Sequence, residues 1–357
     1  MDLLKQLTQT SGVPGQEHRL RKLITEKGKD LFDDIRTDRM GSLIALRKAR
    51  PVKGSKSKTK AGKAPLKVML AAHMDQIGFV VRFIDDNGFV RIQNVGGFDT
   101  RNLFARMVNV CPDPLDPSKD LIGVLNPSGK PLHIASEEDK KKIPDVHDFV
   151  IDMGRPAAEV RKLIKIGDMV TLRAEFNETG NLIVGQALDN RIACWLVLRT
   201  LEKLKHHDCD IYAVFTVQEE VGCRGAGPAA AAIEPDIAIS LDTTLAVDTP
   251  GVAVDQSVTK LGDGAGLMVL DSTVISDPLL IADFEATAKK HRIKAQRTLL
   301  PRGGNDASTI QRTNQGQRVM TMVCPTRYIH TVTETVSKDD LFACRDLLTA
   351  YLSEVKG

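Results

Sequence analysis

Two adjacent glutamates, Glu219 and Glu220, directly follow an apolar run in the segment DIYAVFTVQEEVGCRGA. The run 211–217 is typical of a buried β-strand, and carboxylates at the end of such a strand are candidates for proton transfer or metal binding. Exposure of both side chains to water is the simpler alternative. Because successive residues of an extended strand point in different directions, the two glutamates need not share one role.

Three further apolar runs lead to possible metal ligands. The run 67–72 is followed by His73 and Asp75, the run 236–241 by Asp242, and the run 318–323, after a few residues, by His330. Asp189, in GQALDNR, precedes a predicted helix and could join them. In an open α/β sheet the carboxyl ends of the strands border one crevice, so we expect these side chains to converge. A single strand-end Asp is more often a turn or cap residue, and only the agreement of several favours a site.

Two imidazoles and several carboxylates form a nitrogen and oxygen ligand set, which suits Zn²⁺, Co²⁺ or Mn²⁺. Two metals about 3.5–4 Å apart need a bridging ligand, and a carboxylate with its two oxygens can bridge them. Asp75, two residues after His73, could accept a hydrogen bond from the imidazole nitrogen that faces away from a metal.

Composition narrows the class of protein. The 357 residues exceed the usual size of one domain, so two are expected. No apolar stretch approaches the roughly 20 residues of a membrane span, and the polar N-terminus does not resemble a secretory signal. Six scattered cysteines without a CxxC pair favour reduced thiols in a cytoplasmic protein.

The run 48–67 holds eight basic residues and no acidic one. Because the chain has few aromatic residues, we interpret this run as a solvated loop rather than a nucleic-acid site.

Alternating strands and helices predict an α/β domain with a mixed, partly parallel sheet. Helical periodicity is clear in 191–205 and 338–355, where Ser337 can cap the first turn and Asp340 lies three residues later. The interval 77–175 instead contains short β-like runs and an Asn87-Gly88 hairpin signal. We therefore expect residues 1–76 and 176–357 to form the larger domain, with 77–175 as an inserted β-rich domain.

Six motifs, in order along the chain, resemble one known family. They are AAHMDQIGFVV, GQALDNR, VQEEVGCRGA, SLDTT, PRGGNDAS and RYIHT. Together they look like the tetrahedral (TET) and glutamyl aminopeptidase family of dinuclear-metal peptidases, and the similarity covers essentially the whole chain. The resemblance implies a dizinc aminopeptidase-type fold, a metal-dependent aminopeptidase acting on short peptides, and two divalent metals per chain, Zn²⁺ with Co²⁺ or Mn²⁺ as alternatives.

The resemblance also implies residue roles. One metal would be bound by His73 and Asp242, the other by Glu220 and His330, and Asp189 would bridge them. Asp75 would orient His73, and Glu219 would be the general base that takes a proton from the attacking water. The peptide bond between Asp189 and Asn190 is expected to be cis.

Two further expectations come from the same source. Gly304 and Asp306 would help line the substrate pocket, and Asn305 stands where family members carry a small or hydroxyl residue, a departure that bears on the pocket's preference. The β-rich insert would mediate subunit contacts, in assemblies from dimers to tetrahedral dodecamers.

Other functions remain open at the level of the sequence. A related dinuclear-metal carboxypeptidase or a deacylase of small N-acyl compounds could share a very similar set of ligands. Glycoside hydrolysis by two carboxylates, as in an endoglucanase, leaves His73, His330 and Asp242 unexplained. A non-catalytic peptide-binding scaffold would be expected to lack a ligand or the base, and none is missing.

Overall fold

The computed structural model describes residues 1–52 and 64–356, which form an 11-stranded sheet and a closed barrel of six strands. Much of the basic run 48–67, which we interpret as a loop, lies outside the described residues. Within the described part of the chain, no helix combines the length and apolar character needed to cross a membrane.

The helices and the strands of the large sheet account for most of the chain. The helices are α1 (Asp2–Gln9), α2 (His18–Gly28), α3 (Ala157–Leu163), α4 (Leu188–Lys203), α5 (Ala226–Ile233), α6 (Pro278–His291), α7 (Ala307–Gln311) and α8 (Lys338–Glu354). The sheet strands are β1 (Asp34–Thr37), β2 (Leu43–Arg47), β3 (Lys67–His73), β10 (Asn177–Thr179), β11 (Leu182–Gly185), β12 (Asp210–Thr216), β13 (Ile237–Leu245), β14 (Ala265–Leu270), β15 (Ala295–Leu299), β16 (Val319–Arg327) and β17 (Glu334–Ser337).

The centre of the large sheet is parallel and its margins are largely antiparallel. Strand β3 lies between β12 and β13, and β13 pairs with β16, all in parallel. These four strands coincide closely with the four predicted apolar runs, and the prediction of a mixed-sheet α/β fold is confirmed. Their carboxyl ends therefore lie at the same edge of the sheet.

Helices cover both faces of this sheet. Along β3, Val68 and Leu70 belong to the core formed with α1, α2, α4, α6 and α8, whereas Met69 and Ala71 belong to a second core with α5 and α7. Strands that are buried on both faces read as continuous apolar runs, because neither face requires polar residues. This double burial is why the central strands were recognisable in the sequence.

The start of α8 follows the predicted cap only in part. Ser337 accepts a hydrogen bond from the backbone N–H of Asp339, as expected of an N-cap. Asp340 does not complete a capping box, because its buried carboxylate accepts hydrogen bonds from the backbone N–H groups of Gly262 and Gly264. The side chain thus ties α8 to the loop before β14.

The closed barrel is the second structural unit. Its strands are β4 (Gly78–Ile84), β5 (Val90–Val95), β6 (Arg106–Cys111), β7 (Leu121–Pro127), β8 (Phe149–Asp152) and β9 (Met169–Leu172). All six lie within the interval 77–175, and β4 and β5 form the hairpin predicted at Asn87-Gly88. Val332, two residues after His330, packs against the barrel's apolar core. The barrel therefore contacts the loop that carries a predicted ligand.

Candidate active site

The residues predicted to bind metal or to act in catalysis meet at the carboxyl edge of the parallel strands. Their positions are His73 at the end of β3 and Asp75 just after it, Glu219 and Glu220 after β12, Asp242 within β13, His330 after β16, and Asp189 in the first turn of α4. The parallel register makes this possible, because it aligns the ends of β3 and β12, where His73 pairs with Thr216.

Asp189 is shared by two groups of possible ligands. The first contains His73 and Asp242, the second contains Glu220 and His330, and in each group the ligand atoms lie within 4.8 Å of one another. The Asp189 Oδ1 atom lies 3.3 Å from His73 Nε2, and its Oδ2 atom lies 3.5 Å from His330 Nε2. His73 Nε2 is 3.7 Å from Asp242 Oδ1, and His330 Nε2 is 3.3 Å from Glu220 Oε2. One carboxylate therefore presents one oxygen to each group, which is the arrangement a bridging ligand requires.

Two oxygens of these groups indicate that a cation fits there. Asp189 Oδ1 and Glu220 Oε1 are buried and have no hydrogen-bond partner within the described residues. A buried carboxylate oxygen without a partner is costly unless a cation or a donor compensates it. The donor set contains only nitrogen and oxygen, so the residues present fit a divalent cation such as Zn²⁺, Co²⁺ or Mn²⁺.

The pKa values of these residues show how much negative charge is concentrated in this crevice. Burial raises the pKa of Glu219 and of Asp242 well above the usual range. Burial lowers the pKa of His330, but hydrogen bonds to Asp189 and Glu220 outweigh it and bring the pKa to about 11. Burial likewise opposes ionisation of Asp189, yet the two imidazoles hold its pKa below its ordinary value. The carboxylates thus stabilise the positively charged form of the His330 imidazole, and they would stabilise a bound divalent cation in the same way.

Glu219 and Glu220 face different neighbours. Glu220 belongs to the His330 group, whereas Glu219 belongs to neither of the two groups that share Asp189. Glu219 Oε2 lies 3.9 Å from His73 Nε2, and Glu219 Oε1 accepts a hydrogen bond from the Cys223 thiol at 3.2 Å. The geometry therefore separates the two adjacent glutamates, as the alternation of side chains along an extended segment allows.

Asp75 connects the ends of β3 and β12 through its carboxylate. Its two oxygens accept hydrogen bonds from the backbone N–H groups of Glu219 and Glu220, at 3.1 and 3.0 Å. His73 Nδ1 lies 3.0 Å from the backbone carbonyl oxygen of Asp75 and 3.6 Å from its carboxylate. The imidazole contact is therefore made chiefly by the Asp75 backbone, while the Asp75 side chain positions both glutamates.

A buried glutamate that the sequence analysis did not assign also holds this site. Glu334 Oε2 accepts a hydrogen bond from the backbone N–H of Asp189 at 3.0 Å, and its Oε1 accepts one from that of His330 at 2.8 Å. Burial raises the Glu334 pKa to about 8. Its position four residues after His330, in RYIHTVTE, was the available signal.

The peptide bond between Asp189 and Asn190 is cis, which confirms the expectation from the family resemblance.

The residues of the loop 303–306 differ in their burial and in their contacts. Asp306 is buried beside Glu219 and accepts a hydrogen bond from the Thr216 hydroxyl. Gly304 is exposed, and a Cβ at this position would collide with the Thr273 side chain. Asn305 is buried, where it donates to the Asp271 carboxylate and accepts from the backbone N–H of Ala307 at the start of α7. The Asn305 side chain thus holds the loop against Asp271 and the start of α7.

Comparison with known proteins gives consistent matches over the whole chain. Residues 54–347 match the family model described as M42 glutamyl aminopeptidase. A relative from Acetivibrio thermocellus, described as a putative aminopeptidase, is 37% identical over 341 residues, which cover 95% of this chain and 94% of the relative.

Solved structures agree with the sequence matches. An aminopeptidase from the archaeon Desulfurococcus kamchatkensis superposes with a TM-score of 0.90 at 34% identity and covers 99% of this chain and 94% of its own. The TET1 peptidase of Pyrococcus horikoshii, described as able to assemble into a tetrahedron or a large octahedral shell, gives a TM-score of 0.84 at 28% identity and covers 99% of both chains. Since the family model spans most of its length, the chain belongs to the M42 glutamyl aminopeptidase family.

Proposed function

We propose that this chain is a metal-dependent aminopeptidase that removes N-terminal residues from short peptides. The observation that carries the proposal is Asp189, whose two oxygens face two separate groups of buried nitrogen and oxygen ligands. Family membership supports a peptide substrate and release from the amino terminus. His73 and Asp242 would hold one divalent cation, Glu220 and His330 a second, and Asp189 both. Zn²⁺ is the ion we favour, with Co²⁺ and Mn²⁺ as alternatives.

Bound divalent cations would polarise the scissile carbonyl and make an attacking water more acidic. Glu219 is the residue we assign as general base, because it adjoins the first ligand group without belonging to it. Its carboxylate would take a proton from water and return it to the leaving amine. Asp75 positions Glu219 by accepting its backbone hydrogen bond. Gly304 and Asp306 are our candidates for contacts with the substrate.

The substitution Glu219→Gln tests the base assignment. Because the amide cannot accept the proton, we expect peptide hydrolysis to fall by about 100-fold or more, while two metals per chain remain bound. The exposed glutamate Glu26, changed in the same way, is the matched control and keeps wild-type turnover. Turnover retained in the Glu219 variant would remove this residue from the role of base.

The closest alternatives are a dinuclear-metal carboxypeptidase and an N-deacylase, which could use similar ligands. Paired substrates that differ only in a free or acylated amino terminus separate these activities. We expect cleavage of the free form, and a preference for the blocked form would favour the alternatives. An endoglucanase remains a weaker proposal, because glycoside hydrolysis would leave the two imidazoles without a role. A non-catalytic scaffold would be favoured if elemental analysis of the purified protein found no bound metal.

The insert 77–175, with its barrel, is the unit to which we assign self-association, in assemblies from a dimer to a tetrahedral dodecamer. The support is the family and the shell-forming relative described above. We place the protein in the cytoplasm, because its six cysteines are all free within the described residues. Nucleic acid and membrane are not among the partners that we propose.

A further inference from the structure

Beside the two ligand groups that share Asp189 lies a third group, which contains a sulfur atom. Glu219, Cys223 and Asp306 each offer one ligand atom, and these atoms lie within 4.8 Å of one another. The Cys223 thiol donates a hydrogen bond to Glu219 Oε1 at 3.2 Å. Cys223 is half-buried, whereas the other five cysteines are buried.

Asp306 provides an independent indication that this group can take a ligand. The residue is 2% exposed, and its Oδ2 atom accepts the hydrogen bond from the Thr216 hydroxyl. Its Oδ1 atom is buried and has no hydrogen-bond partner within the described residues. A buried carboxylate oxygen without a partner carries a free-energy cost that a bound cation would remove.

The chemistry of the group selects a particular class of cation. One thiolate and two carboxylates suit Zn²⁺ and the softer Cd²⁺, whereas Mg²⁺ prefers oxygen ligands alone. Binding would require the Cys223 thiol to lose its proton to solvent as the sulfur–metal bond forms. The ligand groups around Asp189 contain no sulfur. The third group is therefore chemically distinguishable from them.

We propose that Glu219, Cys223 and Asp306 form an inhibitory site for a thiophilic divalent cation, Zn²⁺ or Cd²⁺, which binds in excess of the catalytic metals. A cation at this site would engage the carboxylate that we assign as general base and prevent it from accepting a proton. Inhibition therefore rests on the proposed function, whereas binding of the cation does not.

Binding is tested on the full chain already loaded with its catalytic metals, by titration with Cd²⁺ and measurement of the ultraviolet charge-transfer band of a cadmium–thiolate bond. Cd²⁺ that exchanges into the Asp189 groups gives no such band, because those groups lack sulfur. We expect the band in the wild type and in Cys111→Ala, which removes a buried cysteine outside the cluster, and its loss in Cys223→Ala. A band that persists in Cys223→Ala would overturn the proposal.

Inhibition is tested with excess Zn²⁺, and each variant is normalised to its own rate without the excess. We expect Cys223→Ala to need at least about tenfold more Zn²⁺ for half-inhibition than the wild type and Cys111→Ala, with no comparable effect of Mg²⁺ in any of them. Equal sensitivity of all three proteins would overturn the inhibitory role. If the wild type hydrolysed no peptide, the proposed function would fail, and the cadmium band would still decide whether the site exists.

Discussion

At the scale of single residues, the site depends on carboxylates that position the backbone as well as on those that we propose as metal ligands. Asp75 and Glu334 each accept two backbone hydrogen bonds. Each carboxylate thereby joins segments that are far apart in the sequence. The motifs allowed the candidate ligands to be predicted, because all of them except Asp189 lie at the end of a recognisable apolar run or soon after it. Glu334 was not predicted, because its position four residues after His330 does not reveal its hydrogen bond with Asp189, which lies 145 residues away.

Replacement of Glu334 by glutamine should weaken metal binding more than folding. The amide has one acceptor oxygen, and its NH₂ group would face a backbone N–H, so either Asp189 or His330 loses its acceptor. We expect metal affinity to fall by about 10–100-fold, as is common for residues that orient ligands. Dialysis against graded chelator followed by elemental analysis measures this loss.

Glu178→Gln is the control for that experiment, because Glu178 is an exposed residue whose partner is Lys338. The control should retain its metals like the wild type. If Glu334→Gln retained them equally well, the two backbone hydrogen bonds would have no part in shaping the site.

Glu17 should make stability depend on pH. Burial, with a contribution from Asp75, raises its pKa from 4.5 to about 7. The folded state therefore binds this proton more tightly than the unfolded chain, so the stability contribution is greatest below pH 4.5 and is lost as the pH rises through about 7. Since both backbone hydrogen bonds, from Gly15 and Gln218, end on Glu17 Oε1, a glutamine can accept both without a charge.

We therefore expect Glu17→Gln to gain stability relative to the wild type by about 1–3 kcal/mol between pH 5 and pH 8. Urea unfolding at the two pH values measures this difference, and pH effects of the metal ligands cancel because both proteins share them. Glu26→Gln should show no such change between the two pH values. A difference between Glu17→Gln and wild type that stays constant with pH would contradict the assignment.

At the scale of secondary-structure elements, burial decided which ones could be predicted. The four central strands are apolar on both faces and were found close to their observed bounds. Strands β14 and β15 were not predicted, because β14 is short and contains Gly266, and β15, with the sequence AQRTL, is largely polar. The barrel's hairpin was visible as a local signal, but its closure through β4, β6 and β9 depends on pairings distant in sequence.

Arg191, two residues after Asp189, fixes the start of α4 against α1. Its guanidinium is fully buried and donates to the carbonyl oxygens of Leu7, Thr10 and Gly12 and to the side chain of Gln76. Burial lowers the Arg191 pKa to about 10, so the group remains charged near neutral pH.

Arg191→Met should leave these acceptors without their donor. We expect a loss of about 3–5 kcal/mol in the free energy of unfolding, because buried polar groups would lose their partners. Urea denaturation measures it, with Arg199→Met as the control; Arg199 pairs with Glu202 at the surface and should change stability by less than about 1 kcal/mol. Similar losses in both variants would show that the Arg191 hydrogen bonds do not hold α4 in place.

At the scale of the whole molecule, the barrel has an outer surface that the described part of the chain leaves exposed. Along β7, Gly123 and Leu125 point inward, while Ile122 and Val124 are 52% and 42% exposed. Met107 on β6 pairs directly with Val124 and is also exposed. Neighbouring apolar side chains on an exposed sheet surface are typical of an interaction site.

Val124→Glu should therefore weaken the self-association that we assign to the barrel. A charge on this apolar surface would be buried without a partner in the assembly, whereas in the isolated subunit it would remain in water. We expect the molar mass from light scattering to fall relative to the wild type at equal protein concentration. Val254, which is 82% exposed and lies outside the interval 77–175, provides the matched control, and Val254→Glu should keep the wild-type mass. An unchanged mass in Val124→Glu would place the subunit contacts on another surface.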